Sequence, residues 1–279
     1  WNPYPPNDVR YTPTVEEERA FLSSVKVKSL ADFHAGFYGA SNAEVSIVGD
    51  FDPAAVQKLL AAKLDGWKSP KPYKEVTTPY PTPPIEPKNQ VFETPDKENA
   101  VFLAGMPLKL SDSDADYPAL VLGNYLFGAG ASSRLFTRIR GREGLSYGVG
   151  SQLSAPAASD GGRFLVQAIA APQNADKVEA SFRDELATVL RDGFSDEELK
   201  TAKDSYLQAR QVGRSQDGAL TGSLLNHLHN GRTMAWDADF EAKIRALTPA
   251  EVRAAMQRYL DATKMAFMKG GDFKGAASN

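Results

Sequence analysis

Few side chains in this 279-residue chain could move a proton or hold a metal, and their spacing limits what they can do together. Histidine occurs three times, at His34, His227 and His229, and cysteine is absent. Without a thiol there is no thiolate nucleophile, no disulfide and no cysteine-type zinc site. His227 and His229 lie two residues apart, so on a helix their rings point in different directions and cannot grip one ion. They read as polar residues at a helix end near Asn230 and Gly231, and His34, beside Phe33 and Phe37, reads as a packed or half-exposed helix residue. Asp112, Asp114 and Asp116 copy the opening of a calcium loop. However, Tyr117 replaces the glycine of its sixth position and Gly123 the glutamate of its twelfth, which leaves a solvated loop and a helix cap. Gly128-Ala129-Gly130 looks like a phosphate cradle, yet no lysine follows it and it joins helix to helix. Ser132 and Ser133 have no histidine in local register to activate them.

The elements that must position these residues fall into two stretches. With 42% hydrophobic and 24% charged residues, the chain can build one large or two modest cores. Its net charge of -3, with both signs interspersed, offers no basic stripe for phosphates, which argues against nucleic acid as a partner. No apolar run has the length of a membrane span. After a proline-rich start, Thr14 and Glu17 form a capping box for a helix reaching about Lys28, and Ser29 with Asp32 starts another ending near Gly39. Glu44 to Gly49 reads as a short buried strand, and Asp52-Pro53 caps a further helix. Residues 68–88 hold seven prolines and read as a linker between residues 1–67 and a complete domain at 89–279. In that domain Ala100 to Met106 is a strand, Asp116 caps a helix, and a short helix runs from Ser133 to Arg140. Tyr147–Ser154 and Arg163–Ala171 form an antiparallel pair around Asp160-Gly161-Gly162. Helices capped at Asn174, Ser195 and Thr248 precede a closing strand, Lys264 to Lys269. Strands first, helices next and one strand returning describe an α+β domain, a two-layer sandwich of a mostly antiparallel sheet on helices.

The two stretches end alike. Ser29–Phe51 and Thr248–Phe273 each run capping box, helix, loop, strand and Gly-Asp-Phe, which marks an internal repeat whose first copy lacks its beginning. The segment Gly128-Ala-Gly-Ala-Ser-Ser133-Arg-Leu-Phe-Thr-Arg-Ile-Arg140-Gly-Arg-Glu-Gly144-Leu-Ser-Tyr147 resembles the stretch after the first helix in the C-terminal half of pitrilysin and insulinase-type zinc metallopeptidases. Tyr38-Gly-Ala-Ser-Asn42, Val48-Gly-Asp-Phe51, Asp192-Gly-Phe194 and Gly271-Asp-Phe273 extend the resemblance over essentially the whole chain.

That resemblance implies a pitrilysin-type metallopeptidase fold, preceded at residues 1–67 by the tail of a homologous domain. The family's active domain carries H-x-x-E-H on its first helix. In this frame the ligand positions hold Leu120 and Asn124 and the base position holds Gly123, so the domain resembles the family's non-catalytic copy. No metal or other cofactor is then expected in this chain, and zinc is expected in the missing catalytic half. The resemblance also implies that Arg140 and Tyr147 bind substrate and support the reacting carbonyl from across a closed chamber. The expected partners are an N-terminal catalytic half, in the same protein or as a separate subunit, and a peptide substrate. The expected compartment is the periplasm, and the alternative function is a non-proteolytic scaffold or peptide-binding subunit.

Overall fold

The computed structural model describes residues 2–277, which form two compact units. One contains the residues up to 77 together with 212–234, and the other contains 78–211 together with the residues from 235 onward.

In the first unit, α1 (Val15–Ser24) begins at the expected capping box, with the Thr14 side chain accepting from Glu17 N–H at 3.2 Å and Thr14 N–H donating to the Glu17 carboxylate at 2.8 Å. It ends sooner than the sequence suggests, because Val25 and Lys26 are extended and α2 (Val27–Phe37) starts before Ser29. Asp52 caps α3 (Pro53–Leu64) by accepting from Ala54 and Ala55 N–H, with Pro53 supplying the pre-set first turn. Residues 44–49 are not the buried strand expected of them, since no described strand offers them a ladder. None of the side chains of α1 to α3 is buried.

The second unit is built on a five-stranded mixed sheet comprising β1 (Gln90–Glu93), β2 (Ala100–Lys109), β3 (Gly148–Ser154), β4 (Gly161–Ala170) and β5 (Ala266–Gly271), in the order β1-β5-β2-β4-β3. Only the β1–β5 pair is parallel. On β2 and β4 the alternation puts Phe102, Ala104, Met106 and Leu108, and Phe164, Val166, Ala168 and Ala170, on one buried face. That face is covered by α4 (Tyr117–Asn124), α5 (Ala175–Asp192) and α9 (Pro249–Tyr259); α6 (Asp196–Arg214) and α8 (Met234–Ala246) lie between α5 and α9 in the chain, and α7 (Asp217–His229) belongs to the first unit. The result is a two-layer α+β sandwich. Apolar residues at helical spacing on α5, Val178, Phe182, Leu186 and Val189, are all fully buried. The Phe182 ring lies 5.9, 6.1 and 6.1 Å from those of Phe102, Phe127 and Phe267, so one side chain ties helix, sheet and the turn after α4 together. Asp116 does not cap α4 with its side chain, which pairs with Arg258 on α9 instead.

Phe182→Ala removes this junction, and the expected loss is about 3–5 kcal/mol of unfolding free energy, read by chemical denaturation. A loss under about 1 kcal/mol would mean that the aromatic cluster does not hold the layers together.

Candidate functional site

α4 carries Leu120, Gly123 and Asn124, the residues that the resemblance sets against a relative's ligands and base. Leu120 is buried in the core and has no lone pair to offer. A Cβ on Gly123 would lie 2.8 Å from Met256 Sδ, so the absence of a side chain there lets α9 approach. Asn124 accepts a 2.6 Å hydrogen bond from Ser151 Oγ through its side-chain oxygen, which latches the end of α4 to β3. This set of atoms does not fit zinc, which takes nitrogen, sulfur or carboxylate oxygen ligands in tetrahedral array. Among the described residues there is also no group of three or more His, Asp or Glu side chains that could hold a metal ion.

After Asn124 the chain leaves the α-helix by a π-helical turn, Tyr125–Ala129, closed by Gly130 N–H donating to Tyr125 C=O at 2.8 Å. Gly128 has a steric duty here, since a Cβ would sit 2.3 Å from Ser151 Oγ, and the turn could not lie against β3 with any larger residue. A second π turn, Phe136–Arg142, replaces the short α-helix expected up to Arg140. It is closed by Glu143 N–H donating to Arg138 C=O at 2.9 Å, and Gly144 at φ +62° then reverses the chain.

Arg140 sits in the last stretch of this second turn, exposed, with its guanidinium 5.0 Å from the centre of the Phe136 ring. Tyr147 immediately precedes β3 and is 66% exposed. Its N–H donates to Ile169 C=O at 2.8 Å. On either side of it the buried Ser146 hydroxyl lies 2.7 Å from the Gly148 and Ile169 carbonyls and accepts from Gly148 N–H at 3.1 Å. The two side chains do not hydrogen-bond each other. Neither lines the nearby groove of about 650 Å³ on the outer side of β3 and β4, which is floored by Leu165, Gln167 and Ile169 and walled by Gly128–Ala131. Phe136, which carries Arg140, and Gly148, which follows Tyr147, both line it.

An ion network fixes this region from behind. Arg134 holds Glu198 at 2.5 and 2.9 Å and Glu185 at 3.4 Å. Arg138 holds Glu143 at 2.8 Å, Asp184 at 2.6 Å and Glu185 at 3.1 Å, and Ser181 donates to Glu143 at 2.6 Å. Burial pushes the Glu143 and Glu198 carboxyls up, but their hydrogen bonds, led by those from Arg138 and Arg134, outweigh it and hold both below the ordinary range. The sequence reading missed this network. Its signal was available on α5, where Ser181 and Glu185 occupy the core-facing spacing shared with Val178, Phe182 and Val189.

The remaining candidates scatter. His34 stacks on Tyr38 at 4.8 Å, His229 pairs with Glu44 at 3.2 Å, and His227 is buried, so the three rings do different things in the first unit. Asp114 accepts from Ser111 N–H at 2.7 Å, closing a local loop. Ser133 is buried, while Ser132 is exposed.

Residues 24–206 match the family described as the peptidase M16 inactive domain. An uncharacterized zinc protease of Streptomyces coelicolor is 35% identical over 164 residues, covering 58% of this chain and 35% of that protein. A solved peptidase M16 inactive domain from Pseudomonas fluorescens matches with a TM-score of 0.73 at 25% identity, covering 89% of this chain and 58% of that one. A protease from Helicobacter pylori shares the fold at 18% identity, with a TM-score of 0.75 over 90% of this chain and 60% of its own. The chain thus spans a minor part of the curated relative and less than two thirds of these solved chains.

Gly123→Ala tests the packing that fills the metal position. With Met256 Sδ 2.8 Å from the new Cβ, the expected cost is about 1–3 kcal/mol of stability by denaturant titration. A neutral or stabilising result would show that α9 yields and that the position can accept a side chain. Acid adds a second test. Because the Glu143 and Glu198 carboxyls are depressed, the stability they confer is complete above the ordinary carboxylate range and is lost as pH falls through their lowered values. Glu198→Gln should therefore be less stable than wild type at neutral pH and converge on it in acid, as followed by thermal unfolding.

Proposed function

Since the chain belongs to the peptidase M16 family through that family's inactive domain, we propose that it is the non-catalytic C-terminal portion of a zinc metalloendopeptidase and closes over a bound peptide, with Arg140 and Tyr147 contacting the reacting carbonyl. The observation that carries the reading is a contrast within one domain. The positions that could have held a metal are packed with Leu120, Gly123 and the latched Asn124, whereas Arg140 and Tyr147 are exposed, the one over the ring of Phe136 and the other next to Gly148, two residues that line a groove. The N-terminal catalytic half, in the same polypeptide or as a partner subunit, supplies the zinc and the base. This chain supplies donors. The Tyr147 phenol O–H and the Arg140 guanidinium N–H groups donate to a peptide carbonyl oxygen as negative charge gathers on it, and such a donor is worth about 2.7–4 kcal/mol in a transition state. Both side chains are amphipathic, so their apolar parts can also pack along the peptide. The compartment we assign is the periplasm, following the family's exported bacterial members. No helix among the described residues is long and apolar enough to cross a membrane.

Residues 1–67 we read as the closing end of a preceding homologous domain. Lys26–Phe51 aligns without a gap on Thr248–Phe273, each residue 222 positions before its counterpart. Leu30 is 61% exposed where Val252 is 0%, and Val45 is 46% exposed where Phe267 is 3%. In the second copy those positions are covered by the sheet and α4, and the rest of the first copy would cover them in the parent protein.

In the parent enzyme, Tyr147→Phe should lower turnover by roughly 10²–10³-fold with zinc content unchanged, measured by steady-state hydrolysis and metal analysis. Undiminished turnover removes the assignment, and peptide binding without hydrolysis by the two halves together would make the chain a peptide-binding scaffold. For the first unit, amide hydrogen exchange at residues 44–48 should be fast in this chain and strongly slowed in the parent protein. Equal rates in both would refute the split-domain reading.

A further inference from the structure

We propose that Glu143 is a positioning residue that holds Arg140 and Tyr147 in the arrangement a bound peptide meets, an inference that rests on the reading of those two residues given above. Arg140 lies between Arg138 and Glu143, and the turn that carries it is closed by a bond between those two. Glu143 N–H closes the π turn on Arg138 C=O at 2.9 Å. Its two carboxylate oxygens are taken by different elements, one by Arg138 Nε at 2.8 Å and the other by Ser181 Oγ of α5 at 2.6 Å. Arg138 is itself anchored to α5 through Asp184 at 2.6 Å and the buried Glu185 at 3.1 Å. Glu143 therefore joins the π turn to the helix that carries Phe182 into the core. Just beyond it, Gly144 at φ +62° turns the chain and Leu145 N–H returns to Ile139 C=O at 2.9 Å, so the path from Arg140 to Tyr147 starts from the Glu143 anchor. Without that carboxylate the turn keeps its backbone ladder and the Arg138 contacts to Asp184 and Glu185 but loses the Ser181 tie at its far end, where the chain leaves for Tyr147, and the two donors drift relative to the groove. A misplacement of about 1 Å is enough to cost a positioned group much of its effect.

The test is a double-mutant cycle in the full parent protease with Glu143→Gln, Tyr147→Phe and the pair. Glu143→Gln should lower kcat by roughly 10-fold or more with KM little changed, and it should cost far less in the Tyr147→Phe background than in wild type. Ser181→Ala, which removes one hydrogen bond and leaves the ion pair, should lower kcat in the same direction by less, and it stands in if Glu143→Gln does not fold. If Tyr147→Phe is active as wild type, the site reading fails and this proposal falls with it. If Tyr147→Phe is impaired but Glu143→Gln is silent, or its effect is fully additive, the positioning role alone is overturned.

Discussion

The close approach of α4 and its following turn to α9 and β3 is the constraint on which the rest of the domain depends. It is possible because two positions carry no side chain. At Gly123 the room a Cβ would need is taken by Met256, and at Gly128 by Ser151. Protein interiors pack at crystal-like density, so a single extra carbon at either place must displace a neighbour. One consequence is chemical. The helix face that could project ligands into a cleft is instead spent on contacts, with Leu120 in the core and Asn124 held by Ser151. Another is geometric. A helix held this tightly at its end must exit by a wider turn, and the chain does so through Tyr125–Ala129 before it can start the turn that carries Arg140.

Behind those turns the domain buries charge. Glu185 is almost fully enclosed, and a lone carboxylate there would be costly to desolvate. Arg134 and Arg138 both reach it, from successive turns of the segment that follows Gly130. Such an arrangement adds little net stability compared with an apolar core, but removing one partner costs on the order of 3–5 kcal/mol. What the network secures is a single geometry, because each guanidinium offers donors in a fixed plane and each carboxylate has a limited number of acceptor directions. Arg140, two residues beyond Arg138, makes none of these ion pairs and lies over the Phe136 ring.

How much of this could be read from the residues alone depended on whether the signal was local. Capping boxes at Thr14, Ser195 and Thr248 were legible because the two hydrogen bonds involved lie within four residues of each other. The alternating strands β2 and β4, and the apolar stripe of α5, were legible from period alone. Three features were not. Residues 44–49 have a strand's composition, but a strand exists only when another backbone pairs with it, and no described residue does. Asp116 has the right type and position for a cap, yet Arg258, 142 residues away, claims its carboxylate. The π turns have no residue signature of their own, since they arise where tertiary contacts force a helix to widen. Arg140 and Tyr147 stood out only through the resemblance, because an arginine near a helix end and a tyrosine before a strand carry no distinguishing local pattern.

Two similar segments, 26–51 and 248–273, separate what sequence specifies from what neighbours complete. Lys26–Phe51 and Thr248–Phe273 both run helix, loop, extended stretch and Gly-Asp-Phe, and both have a helix of eleven residues. Only the second ends in a strand with partners. There β5 pairs β2 on one side and β1 on the other, and its flanking helix α9 buries Val252, Ala255 and Met256. Helices close their hydrogen bonds within themselves and can therefore stand with their apolar side uncovered, as α2 does. Strands have no such internal closure, so the same pattern at 44–49 stays extended but unpaired. The difference between the two segments is therefore one of supply: local sequence sets the helix and the turn in each, and the surrounding chain decides whether a strand and a core follow.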